Sequence, residues 1–209
     1  PLTLSMTAFG KVGRGRALLR SAARAGDNIW VSGTIGDGAL GLRAARGQTA
    51  ELGPEHSAFL ADRYRLPRPR VGVVAGLVGL AHAGMDISDG LIQDLGHICR
   101  ASGLAADVTA TAVPLSPAAR CALAHDHSLL ATVLTGGDDY ELLFTAPPSA
   151  TGAITAVAEQ AGVPLTVIGS MIDGTGVSVR DGNGHPVVLP NGGWRHFSAT
   201  ASGAATWSV

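Results

Sequence analysis

Cysteine, lysine and aromatic side chains are scarce in this chain of 209 residues: there are two cysteines, one lysine (Lys11) among 15 basic residues, and only 4% Phe, Trp and Tyr. Cys99 and Cys121 sit in apolar, helical-looking stretches with neither CxxC spacing nor a histidine partner. They read as small core hydrophobes in a reducing compartment, and no zinc site is expected. Charge is thin at 15% and nearly balanced, 15 basic against 16 acidic residues for a net −1. A nucleic-acid binder needs a basic face that releases counterions, so that class is set aside. Long hydrophobic runs are missing too. The longest apolar stretch, Val71 to Gly84, is about 14 residues, Gly-rich and broken by His82, too short to span a bilayer. No charged segment followed by an apolar one opens the chain, so no secretory signal is visible and a cytoplasmic protein is expected. The seven histidines show no HExxH or paired spacing, and none is assigned a role.

What the chain has is 46% apolar residues with 29 Gly and 11 Pro, without a collagen period or low complexity. That describes a globular protein of mixed α and β structure whose thinly charged surface points to burial against a partner. The chain opens on Pro1 and an alternating Leu2-to-Gly10 segment, which reads as a strand already under way and so as a start inside a longer protein. A short helix is expected over Ala17–Arg24, a buried strand over Asn28–Gly33, and helices over Ala39–Arg46 and Glu51–Tyr64, the last stopped by Pro67 and Pro69. Val71–His82 reads as a helix buried on most sides. Leu91, Ile92, Leu95, Ile98 and Cys99 recur at helical spacing through Arg100, with Ser88 or Asp89 as N-cap and Gly103 at C′. A strand near Ala106–Val108, a helix opened by Ser116-Pro117, a strand entered from Gly136-Gly137, a helix over Ala153–Ala161, a strand over Leu165–Ile168 and a hairpin of Val177–Arg180 with Pro186–Leu189 complete the order.

Chemistry concentrates in two acidic segments. In Asp86-Ile87-Ser88-Asp89-Gly90, carboxylates three apart at a helix start can face one side, and with the hydroxyl between them they form a hard oxygen site of the kind Mg²⁺ uses when it also holds phosphates. The helix N-terminus would add N–H donors for the phosphate itself. N-capping by Ser88 or Asp89 explains part of the motif but not Asp86. In Gly136-Gly137-Asp138-Asp139-Tyr140-Glu141, adjacent carboxylates repel unless a cation is near, although a solvated acidic turn reads equally well. Gly33-Thr34-Ile35-Gly36-Asp37-Gly38 after a strand fits a phosphate-facing turn but lacks the lysine of a P-loop. Arg14, Arg16, Arg20 and Arg24 suit phosphate oxygens or form a solvated face. Trp194 suits ring stacking or core packing.

Taken together, Asp86-Ile87-Ser88-Asp89-Gly90-Leu91 and Leu134-Thr135-Gly136-Gly137-Asp138-Asp139-Tyr140-Glu141-Leu142 resemble the thiamine-monophosphate kinase family. Gly15-Arg16-Ala17-Leu18-Leu19-Arg20-Ser21 and the stretch Gly26 to Asp37 resemble it in the same order. The resemblance implies ATP-dependent phosphorylation of thiamine phosphate to thiamine diphosphate, with Mg²⁺ and ATP, in a family related to aminoimidazole ribonucleotide synthetase and selenophosphate synthetase. It implies an α/β (α+β) C-terminal domain with a mixed sheet flanked by helices over residues 27–209, preceded in 1–26 by the end of an ATP-binding domain, in a homodimeric enzyme. It further implies that Asp86 and Asp89 hold Mg²⁺, that Arg20 and Ser88 meet ATP, and that Asp138 and Trp194 contact thiamine phosphate. No side chain is assigned as a general acid or base, because the acceptor phosphate is already ionised near neutrality. The family usually has Glu where this chain has Asp138, one methylene shorter. The alternatives are a related ATP-dependent ribonucleotide ligase and a binding fragment that is inactive without the preceding domain.

Overall fold

A computed structural model describes residues 3–189, 197–199 and 205–207. Its centre is a six-stranded mixed sheet in the order β2-β4-β1-β5-β3-β6. The strands are β1 (Asn28–Ser32), β2 (Ala83–Ile87), β3 (Ala105–Thr109), β4 (Glu141–Ala146), β5 (Leu165–Ile172) and β6 (Gly176–Arg180). All neighbours run antiparallel except β3 and β6, which are parallel. Strands β7 (Phe197–Ala199) and β8 (Ala205–Trp207) pair separately.

The period-2 alternation of side chains sends the two faces of the sheet to different cores. On one face Ile29, Val31, Ile87, Leu143, Ile168 and Met171 are buried under α4 (Leu91–Ser102), whose Leu91, Leu95, Ile98 and Cys99 follow the helical period anticipated from the sequence. On the other face Trp30 and Phe144, register partners with parallel rings 6.0 Å apart, pack under α3 (Val71–Leu77) and α7 (Thr151–Ala161). Helices α1 (Asp37–Ala45), α2 (Gly53–Arg65), α5 (Pro117–His125) and α6 (Leu129–Thr135) form a third layer around Leu40, Leu60, Ala118, Ala122, Leu129 and Val133. Both cysteines are free thiols, Cys99 in the sheet core and Cys121 against the helical layer. No helix among the described residues is long and apolar enough to cross a membrane.

Several local expectations are corrected. Residues 3–10 form no strand and are exposed, because nothing among the described residues offers their backbone a partner edge. Residues 17–24 are not helical; Leu19 instead makes a parallel bridge to Ala83 on the edge strand β2. Helix α3 stops at Leu77 and buries only Val73 and Leu77, leaving Val71 76% and Val74 41% exposed. Three glycines in Val71–Gly79 weaken the helix, and Gly79 at φ 91° ends it. Helix α6 is not legible from Leu-Leu-Ala-Thr-Val-Leu-Thr, whose β-branched residues lower helix propensity while tertiary packing of Leu129, Val133 and Leu134 restores it. The hairpin after β6 is real but short: Val187 donates to the Val179 carbonyl, and Arg180 bridges Pro186.

The topology gathers three turns at one end of the sheet. Because β4 is antiparallel to both β1 and β2, its entry lies beside their exits: Ile87 is the register partner of Glu141, and Val31 that of Leu143. The turns 33–36, 88–90 and 136–140 are therefore neighbours despite their distance in sequence.

Candidate active site

Two of these turns are laced together through their backbones. The Asp138 N–H donates to the Ser88 carbonyl at 3.0 Å, and the Tyr140 N–H to the Ile87 carbonyl at 2.8 Å. The approach is so close that a Cβ on Gly137 would collide with the Ser88 carbonyl oxygen, and one on Gly90 with the Thr135 carbonyl oxygen. These glycines are required by contact, not only by turn geometry. Asp138 at φ 68° and Tyr140 at φ 50° are the non-glycine residues with positive φ among those described. Such conformations cost of order 1–3 kcal/mol each and persist where the surroundings hold them; here the bonds to Ile87 and Ser88 do so.

The lacing brings predicted site residues together. Asp86 lies exposed on β2 opposite Leu142, while Ser88, Asp89 and Asp138 are half-buried in the paired turns. The Tyr140 hydroxyl donates to Asp138 Oδ1 at 3.1 Å. Partial burial pushes that hydroxyl's pKa up, and the charges of Asp138 and Asp86 add to the shift. Asp138 thus meets Tyr140 directly, while Asp86 stands opposite Leu142, two residues further along the chain. Arg20 is exposed on the segment bridged to β2, its carbonyl accepting from Ser102 Oγ at 3.1 Å. Trp194 lies outside the described residues.

The other acids are not in this constellation. Glu141 is fully buried and faces inward: Ser32 Oγ and Arg63 Nη2 (3.0 Å) donate to it, as does Arg70 through Nε (2.6 Å) and Nη2. Arg63 also lies 3.8 Å from Asp37 Oδ2, and buried Asp37 accepts from half-buried Thr34 and buried Ser116. Asp139, 2% exposed, accepts the N–H groups of Gly36 and Gly38, both at 2.8 Å. Burial raises its pKa to about 7, the two N–H donors oppose the shift, and Asp37 and Glu141 add to it.

This corrects the reading of both glycine turns as phosphate seats. The N–H groups at the head of α1 are filled by Asp139. At the head of α4 neither Ser88 nor Asp89 caps the helix; Gly90 occupies the cap position without a side-chain cap bond. The N–H groups of Ser88, Asp89 and Gly90 converge on Asp94 Oδ2 at 2.9, 3.0 and 3.2 Å. Burial raises the Asp94 pKa, and the three donors oppose that rise. The sequence reading missed Asp94, Arg63, Arg70, Tyr140 and His97. For Asp94 and His97 a signal existed, an acid and a histidine three apart on one helix face: Asp89, Asp94 and His97 have potential ligand atoms all within 4.8 Å of one another.

A mixed sheet with helices on both faces and an acidic double turn at its end defines an α/β domain of a recognisable kind. The chain belongs to the family described as AIR synthase related protein, C-terminal domain, matched over residues 24–182. It is 41% identical over 203 residues to the thiamine-monophosphate kinase of Salmonella typhimurium, covering 95% of this chain and 61% of that protein. It thus spans about three-fifths of that curated relative's length. It is similar in structure to the thiamine-monophosphate kinase of Stenotrophomonas maltophilia K279a, with TM-score 0.75 and 43% identity over 84% of this chain and 56% of that one. It is likewise similar to AaThiL complexed with AMPPCP and TMP, with TM-score 0.70 and 32% identity over 86% of this chain and 54% of that one.

Proposed function

We propose that the intact protein phosphorylates thiamine phosphate to thiamine diphosphate with ATP, and that the laced turns 86–90 and 136–140 are this chain's share of the site. The observation that carries the reading is the backbone lacing of turn 136–140 to turn 86–90, Asp138 to Ser88 and Tyr140 to Ile87, in a chain 41% identical to a thiamine-monophosphate kinase. The ligands of the AaThiL complex, AMPPCP and TMP, agree with such a pair of substrates.

Asp86 and Asp89 would hold Mg²⁺. Their donors fit: both are hard carboxylate oxygens, Asp86 is exposed and Asp89 half-buried, so neither is sealed in the core. When bound, the ion supplies positive charge that relieves repulsion between an anionic donor and an anionic acceptor. Ser88 and Arg20 would meet ATP, and Asp138 the thiamine phosphate, with Tyr140 fixing the Asp138 carboxylate through its hydroxyl. Trp194 completes the substrate side of the proposal. The acceptor phosphate is ionised near pH 7, so the residues' task is to position anions in line rather than to move a proton. Residues 1–26 are assigned to the end of a preceding ATP-binding domain, which the start of the family match at residue 24 supports. A cytoplasmic homodimer belongs to the same proposal. The test is the conversion of thiamine phosphate by the intact protein with ATP and Mg²⁺, followed by chromatography. Formation of thiamine diphosphate is expected; its absence, with ATP consumed on a ribonucleotide instead, would replace this reading with the ligase.

A further inference from the structure

We propose that Asp94 is a positioning residue of the acidic turn, its carboxylate being the resident anion of the seat that three successive N–H groups form at the head of α4. The proposal rests on the reading of Asp86 and Asp89 as metal ligands. Asp94 is 1% exposed, so it cannot reach substrate, and it acts through the backbone it holds, its carboxylate lying within 4.8 Å of Asp89 and His97.

Three N–H groups pointing at one place form an anion-binding concavity, and the positive end of a helix strengthens it. Left empty, this seat would leave three converging N–H donors without their acceptor. With Asp94 Oδ2 accepting from Ser88, Asp89 and Gly90, the seat is taken. The peptide run 88–90 is then gripped from two sides, Asp94 binding its N–H groups while the Asp138 N–H binds the Ser88 carbonyl. A backbone held on both edges leaves Asp86, Ser88 and Asp89 only their side-chain torsions, which is the preorganisation a metal site requires. The return bond from Asp94 N–H to the Gly90 carbonyl at 2.9 Å fixes the acid to the turn it organises.

The experiment uses the intact protein and its Asp94→Ala and Asp94→Asn variants, with Asp86→Asn as reference. Three quantities are read: Mn²⁺ affinity by electron paramagnetic resonance, the Mg²⁺ concentration for half-maximal turnover, and kcat against KM for thiamine phosphate. Partners that orient metal ligands typically contribute about 10–100-fold in metal affinity or activity. Asp94→Ala is therefore expected to weaken Mn²⁺ binding and raise the Mg²⁺ requirement by about that factor while KM changes little, and added formate is expected to restore part of the loss by refilling the seat. Asp94→Asn keeps one acceptor oxygen without the charge and is expected to shift both in the same direction by less, since neutral hydrogen bonds are roughly half as strong. If Asp94→Ala does not fold, Asp94→Asn decides. A folded variant that binds Mn²⁺ like the wild type, or one whose loss lies wholly in KM, overturns the proposal. Loss of Mn²⁺ binding in Asp86→Asn together with absent thiamine phosphate turnover in the wild type breaks the functional reading instead, and the Asp94 comparison is then read from Mn²⁺ affinity alone.

Discussion

Two acidic turns lie side by side at the same end of the sheet, yet their carboxylates do opposite things. In 86–90 neither acid is sealed in the core: Asp86 is exposed and Asp89 half-buried. In 136–141 Asp139 and Glu141 are 2% and 0% exposed and are consumed by the fold, one on the N–H groups of α1, the other on two guanidiniums. Only Asp138 of that turn remains on the outer side. Charge counted along the sequence therefore overstates the site, because burial sorts identical residue types into outward-facing groups and scaffolding. Each glycine turn carries its own internal acceptor, Asp94 for the N–H groups of residues 88–90 and Asp139 for those of Gly36 and Gly38.

The sharpest way to break this division is to neutralise the outer acids. Asp86→Asn and Asp89→Asn are each expected to lower turnover of the intact protein on the order of 10³-fold, the equivalent of several kcal/mol of charge stabilisation. Near-normal kinetics in both would remove the metal role. Stability should move little for the exposed Asp86, within about 0.5 kcal/mol by chemical denaturation, as for ordinary surface substitutions. Glu141→Ala should invert the pattern. It leaves Arg70 without its buried counter-charge and Arg63 with only Asp37 at 3.8 Å, for which the expected loss is about 3–5 kcal/mol of unfolding free energy. A Glu141→Ala protein with wild-type stability would mean that the buried network is dispensable. Asp138→Glu, which lengthens the carboxylate arm by one methylene, tests the boundary between the two groups. It is expected to change KM for thiamine phosphate while kcat and the denaturation midpoint stay put.

Much of the scaffold was legible because periodicity is a local signal. The α4 stripe, the Asn28–Ser32 strand and the Ser116 cap, whose hydroxyl accepts from the Ala119 N–H at 3.0 Å, all follow from residues within a few positions of one another. The juxtaposition of turns 86–90 and 136–140 was legible only through the family resemblance, since nothing local says that Ser88 and Asp138, 50 positions apart, meet. What stayed hidden was direction. Asp138, Asp139, Tyr140 and Glu141 look alike on paper, but entry into β4 sends Glu141 into the core, and the positive φ of Asp138 and Tyr140 turns the chain between them. The Arg63 and Arg70 partners come from residues 78 and 71 positions away and could not be inferred from spacing. Helix capping failed for a related reason. The rule looks before the helix for an acceptor, and here the acceptor reaches back from Asp94, inside it.

A pH-dependent effect concerns Asp139, and it tests whether this acid belongs to the fold rather than to the site. Its carboxyl titrates near pH 7 in the folded protein and near 3.8 when unfolded, chiefly because burial disfavours the charge. Between those values the native state holds a proton that the unfolded chain has lost, so stability falls as pH rises through this window and levels off above about 7. Asp139→Asn removes the titration along with one of the two acceptors for Gly36 and Gly38, and so is destabilising at low pH. The gap in melting temperature between wild type and Asp139→Asn should therefore narrow steadily from pH 5 to pH 7.5, within the window that the raised pKa of about 7 defines. A gap that is constant across that range would place the Asp139 charge in solvent and return it to the outer acids.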